Sequence, residues 1–362
     1  MLNFKAGALR SASDGACPNR FEAANDLVRQ TLSRHGLWAE TDGNAAPMAD
    51  LMKGLNLPPA WQDMPRPAKP PISLPEGAVF RAETYSGPTG SRAYRHYVPA
   101  SASHGVNGIV LMLHGCTQTP EDFAIGTKMN ALAEAHRLVV IYPEQARGAN
   151  AQSCWNWFSK GDQRRDRGEP AILAGITRTA MAEHDVTPDR VFVAGLSAGA
   201  AMAVILGETY PDIFAAVGAH SGLPLGAASD VPSAFAAMAG ERQGAAAARP
   251  VTGARRAIVF HGAADRTVHP TNGVEIARRV GNSRGGQAIQ TTEMGKQDGR
   301  KFRRILTSDT NGQVLSEHWV IDGLGHAWSG GNGAGSYADP AGPDASAEMI
   351  RFFLDLPAEG AQ

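Results

Sequence analysis

The chain has 362 residues, of which 43% are hydrophobic, and a formal net charge of −1. That length suffices for one large α/β domain with appendages or for two modest domains. The near-zero charge excludes the basic field of a nucleic-acid binder. No apolar run reaches the roughly eighteen residues of a membrane span.

Residues 1–72 stand apart from the rest. Phe21, Ala24, Leu27, Val28 and Leu32 recur at helical spacing and predict one amphipathic helix. The proline-dense stretch PPAWQDMPRPAKPPISLP follows as an extended linker. Docking on the main domain and self-association into a homo-oligomer are both open roles for this arm. The N-terminus carries no apolar segment of a secretory signal, so a cytoplasmic location is expected, with export by a nonstandard route left open.

A catalytic domain is expected over 73–358. AVFRAETYS and SRAYRHYVP alternate in polarity, as two antiparallel strands at a sheet edge do. GIVLMLH (108–114) and LVVIYP (138–143) are continuous apolar runs that fit buried strands, with a helix over 121–135 between them. A helix over 169–184, a strand over 190–195 and a helix over 198–209 come next. Strands at 214–222 and 256–262 bracket an Ala- and Gly-rich insertion, 223–250, read as a lid-like helical piece over one sheet end. A helix over 271–281, two edge-like stretches (288–296 and 301–308), a strand over 316–323 and a closing helix over 344–355 complete the chain. Alternating strands and helices imply a mostly parallel, doubly wound sheet with helices on both faces.

RVFVAGLSAGAAMA (190–203) carries a G-x-S-x-G pentapeptide, which 41 glycines make weak evidence alone. Its context adds weight. A strand precedes it, a helix follows it, and small residues flank Ser197 where a tight strand-to-helix turn needs them. An acid should follow a later strand, and AADRTVHP places Asp265 just past 256–262. Asp339 is a rival, as is Asp322, although Asp322 lies too near the candidate histidine in sequence. A histidine should follow the last strand, and GLGHAWSGG supplies His326. The order Ser197, Asp265, His326 is that of an α/β-hydrolase. In that scheme Asp265 fixes the His326 tautomer and His326 takes the serine proton. Backbone N–H groups of Ala198 and Cys116 are the candidate oxyanion donors.

These residues resemble the esterase family of polyhydroxybutyrate depolymerases, related to feruloyl and acetylxylan esterases. The matching stretches include LMLHGCTQTPEDFA, YPEQ, CWNWF, DRVFVAGLSAGAAMA, HSGLPLGAA, FHGAADRTVHPTNG and GLGHAWSGG, across about residues 75–356. The resemblance implies carboxylic ester hydrolysis through an acyl-serine, on hydroxyalkanoate oligomers or small esters, with no cofactor. Feruloyl or acetylxylan esters are the alternative substrates, and a catalytically silent binding module is the alternative class. It places Trp155 and Trp157 by the nucleophile as substrate-binding aromatics, with burial in the core as the rival reading. Cys116 and Cys154 would flank the same mouth. Secreted relatives tend to pair such cysteines, whereas the missing signal favours free thiols in a reducing compartment. No C-x-x-C or paired-ligand spacing suggests a metal. GGNGAGS (330–336) reads as a flexible active-site loop, and GDQRRDRGE (161–169) as a solvated charge run.

Overall fold

The architecture comes from a computed structural model that describes residues 72–241, 255–283 and 288–355. The expected N-terminal helix, the linker up to residue 71, and residues 242–250 of the insertion lie outside the described residues. The continuous apolar runs form the centre of one ten-stranded sheet. They are β3 (Gly108–Leu113), β4 (Leu138–Pro143), β5 (Val191–Leu196), β6 (Ala216–His220) and β7 (Arg256–Gly262). Every residue of β3, β4, β5 and β6 is buried, which is why these strands show no alternation: helices cover both faces. β1 (Val79–Gly87) and β2 (Gly90–Val98) form one antiparallel edge. β8 (Ile289–Gln297), β9 (Arg300–Ser308) and β10 (Val314–Ile321) form the other, with β10 parallel to β7. The strand order is β1-β2-β4-β3-β5-β6-β7-β10-β9-β8. A separate two-stranded ribbon pairs β11 (Trp328–Ser329) with β12 (Ala338–Asp339).

The helices are α1 (Pro120–Thr127), α2 (Met129–His136), α3 (Gly168–His184), α4 (Ala198–Thr209), α5 (Val231–Met238), α6 (Thr271–Gly281) and α7 (Ala345–Phe353). The single helix expected over 121–135 is two helices. Lys128 adopts a left-handed conformation, φ 55°, and ends one helix while starting the next. The described part of the insertion holds α5, capped by Asp230 and Ser233 in a reciprocal box. It is seated by Asn272 Nδ2 donating to Ala237 O at 2.9 Å and His269 N donating to Met238 O at 2.8 Å. Among the described residues, no helix is long and apolar enough to cross a membrane.

The charge run 161–169 is not wholly solvated. Glu169 is buried at the start of α3, where it accepts from Asn156 N at 2.7 Å and Asn156 Nδ2 at 2.8 Å.

Candidate active site

The parallel strands all end on one side, and the turns that leave β3, β5, β7 and β10 gather the predicted residues there. β5 runs straight into α4 through Ser197. Its backbone sits at φ 57°, ψ −120°, a conformation that L residues other than glycine rarely adopt. The turn closes because its flanking glycines touch backbone. A Cβ on Gly199 would lie 2.1 Å from the Leu113 carbonyl oxygen. One on Gly195 would lie 2.5 Å from the Gly199 carbonyl carbon. The contact presses the first turn of α4 against the end of β3. Gly199→Ala should therefore destabilise the fold by about 3 kcal/mol, read as a lowered midpoint in thermal denaturation. Gly333→Ala, which meets nothing within 4 Å, should leave the midpoint unchanged.

Asp265 and His326 meet directly. His326 Nδ1–H donates to Asp265 Oδ2 at 2.8 Å. The other carboxylate oxygen accepts the N–H groups of Thr267 and Val268, both at 2.9 Å. Burial alone would raise the Asp265 pKa. The bond from His326, its charge and the Val268 N–H outweigh that and hold it at about 2. The rivals are placed differently. Asp339 pairs with Arg300, and Asp322 is exposed beside the same arginine.

The loop carrying His326 rests on the end of β7. Ala264 N donates to Leu324 O at 3.0 Å, and a Cβ on Gly262 would lie 2.2 Å from that same oxygen. His220, at the end of β6, joins this loop to the serine turn. Its carbonyl accepts from Ser197 N at 2.9 Å, and its Nε2 accepts from Ser329 N at 3.1 Å. Complete burial drives its pKa down to about 3, so it serves as a neutral strut. The Ser197 hydroxyl and His326 do not hydrogen-bond to one another in this structure. Such bonds often tighten only when substrate binds.

The Cys116 and Ala198 N–H groups are not engaged by any other described residue. Ala198 is the first residue of α4, at the positive end of its dipole. Cys116 follows Gly115, whose N–H is held by Gln118 Oε1 at 2.8 Å. Behind the loop, burial lowers the His114 pKa to about 4. Its Nδ1–H donates to Gly115 O at 2.8 Å and its Nε2 accepts from Gln145 N at 3.1 Å.

Two expectations about this loop need correction. Cys116 and Cys154 form a disulfide, not free thiols, and so join two segments 38 residues apart. Trp155 has no exposed surface, and its Nε1–H donates to His114 O at 3.0 Å. It braces the loop from behind and cannot face a substrate. Trp157 is 6% exposed and packs edge-on against Phe158 within the core.

Sequence reasoning missed Tyr337. It is 47% exposed, sits at φ 51°, and its ring meets His326 edge-on at 6.4 Å between centroids. Its hydroxyl lies 3.5 Å from Thr117 Oγ1, next to Cys116. The GGNGAGS segment that delivers it is anchored: Gln118 Nε2 donates to Ser336 O at 2.9 Å, and Asn332 N donates to Gly126 O at 2.8 Å. An aromatic straight after a glycine-rich stretch beside a candidate histidine was the available signal.

The sheet order and the serine turn define an α/β-hydrolase. The fold is shared with an acetyl xylan esterase from Aspergillus awamori, at a TM-score of 0.60 and 20% identity, over 76% of this chain and 98% of that one. The chain belongs to the esterase family of polyhydroxybutyrate depolymerases, whose model, described as "Esterase PHB depolymerase", matches residues 92–279. It is similar to poly(3-hydroxyalkanoate) depolymerase C of Paucimonas lemoignei, 33% identical over 233 residues, covering 60% of this chain and 54% of the relative. A probable acetylxylan esterase A of Aspergillus flavus is 30% identical over 199 residues, covering 51% of this chain and 64% of the relative. The chain thus spans about half the length of the depolymerase it matches.

Proposed function

We propose that the chain is a serine carboxylic-ester hydrolase acting on hydroxyalkanoate oligomers or small esters. The Asp265–His326 pair, set after β7 and β10 while Ser197 occupies the strained turn after β5, carries the reading. Ser197 Oγ attacks the ester carbonyl carbon and His326 Nε2 takes its proton. The C–O bond to the alcohol then breaks, and His326 returns the proton to the leaving oxygen. Water repeats the sequence on the acyl-serine and frees the acid. The Ala198 and Cys116 N–H groups hold the oxyanion in both halves. Asp265 keeps the proton of His326 on Nδ1, so that Nε2 is the acceptor. No cofactor enters this scheme.

Tyr337, and not Trp155, is the aromatic that meets the acyl or alcohol portion. The disulfide favours residence in an oxidising compartment over the reducing one that the cysteine count suggested.

The substrate is tested with hydroxybutyrate oligomers, methyl ferulate and acetylated xylan. The highest kcat/KM is expected on the oligomers. Tyr337→Ala should raise KM for them about tenfold, roughly 1.4 kcal/mol, with kcat little changed. Preference for acetylated xylan would overturn the substrate and leave the esterase chemistry standing.

A further inference from the structure

On the β1–β2 side of the sheet, a strand and a helix end gather three side chains that the ester chemistry does not use. His96 comes from β2, and Glu183 and His184 come from the last turn of α3, with one donor atom of each lying within 4.8 Å of the others. The first turn of α3 carries Glu169, beside Asn156 and the disulfide loop. The 17 residues of α3 then rise about 1.5 Å each, so the cluster lies on the order of 20 Å from that loop.

The His96 and His184 Nε2 atoms are 2.9 Å apart, and Glu183 Oε1 is 3.8 Å from His184 Nε2. Around a tetrahedral ion with bonds of about 2.0–2.1 Å, donor atoms stand about 3.3 Å from one another. The two observed separations bracket that value. His96 is 1% exposed, and its far nitrogen, Nδ1, lies 3.4 Å from Glu83 Oε1. A carboxylate behind a histidine is how proteins orient an imidazole ligand.

A network without a cation can also be drawn. Arg81 Nη2 donates to His96 Nδ1 at 3.1 Å, and His96 Nε2–H then points at His184. Two carboxylates, Glu83 and Glu183, share the single guanidinium of Arg81, for a net charge of −1. A divalent cation takes this cluster from −1 to +1; it needs a tautomer shift at His96, whose proton moves from Nε2 to Nδ1 and towards Glu83, and the loss of the Arg81 bond to Nδ1.

We propose that His96 Nε2, His184 Nε2 and the Glu183 carboxylate bind one divalent cation of the zinc class, which pins β2 to the end of α3. Two imidazole donors select such an ion over magnesium or calcium. The ligands lie far apart in the chain, and the adjacent Glu183-His184 pair has no spacing that marks a metal site.

The test uses the full chain, freed of metal with a chelator and titrated with Co²⁺ and with Zn²⁺. Wild type should take up one equivalent above any background shared with the variants. Co²⁺ should give the visible absorption of a four-coordinate ion, and Zn²⁺ should raise Tm. Glu183→Gln and His184→Gln should each weaken this uptake at least about tenfold and leave ester hydrolysis unchanged. Glu183 is 39% exposed, so its variant decides the matter should His184→Gln fail to fold. Wild type without that equivalent, or a folded Glu183→Gln protein that binds as wild type does, would overturn the proposal.

Discussion

Ser197→Ala should lower kcat on p-nitrophenyl butyrate by at least about 10⁴-fold, with circular dichroism unchanged. A factor of that size is about 5.5 kcal/mol of barrier. The expectation follows from the turn. Ser197 is held at φ 57° with its N–H fixed to His220 O, and alanine can keep that backbone because the bond involves no side-chain atom. The variant retains the Cys116 and Ala198 N–H groups, so it should still exceed the rate in water. What it loses is the oxygen that forms the acyl bond. A variant that turns over at close to the wild-type rate would place the nucleophile elsewhere and sink the proposed function.

Asp265→Asn should cost a similar factor, about 10⁴ in kcat. An asparagine amide at that position donates where the carboxylate accepts. His326 would then turn its protonated nitrogen towards the serine and lose its capacity as a base. Asp339→Asn and Asp322→Asn should leave kcat within about twofold, since those carboxylates serve Arg300 and solvent. The comparison separates an acid that acts through His326 from one that merely stabilises a loop. The low pKa of Asp265, about 2, also has a sign. A carboxyl held below its unfolded value of about 3.9 contributes stability that is present above roughly pH 4. That contribution is lost as the pH falls through 2. Wild type should lose it across that window in acid unfolding, and the asparagine variant should not.

Much of this arrangement was legible in the sequence, because it rests on local patterns. The buried strands read as unbroken apolar runs, and their order around Ser197, Asp265 and His326 matches the chain order that the fold requires. Gly195 and Gly199 were legible as small residues. Their contacts with Leu113 and with each other, which make the size obligatory, were not. Lys128 breaks a helix with a left-handed backbone that neither glycine nor proline announces. Trp155 looked like a substrate platform because an aromatic in a family motif invites that reading. Its indole N–H finds His114 O inside the core, a pairing across 41 residues that no window of sequence contains. His220 has the same character. It looked like one histidine among eleven, yet it carries both the serine turn and the histidine loop.

The Cys116–Cys154 bond bears on how the protein is made. In the chain-entropy picture, closing a loop of 38 residues is worth on the order of 4 kcal/mol. The bond also ends at the residue whose N–H faces the proposed oxyanion. A preparation from a reducing host compartment and one from an oxidising compartment would share a sequence and differ by two hydrogens. They would be different catalysts, and a thiol count on the purified sample belongs beside every rate measured on it.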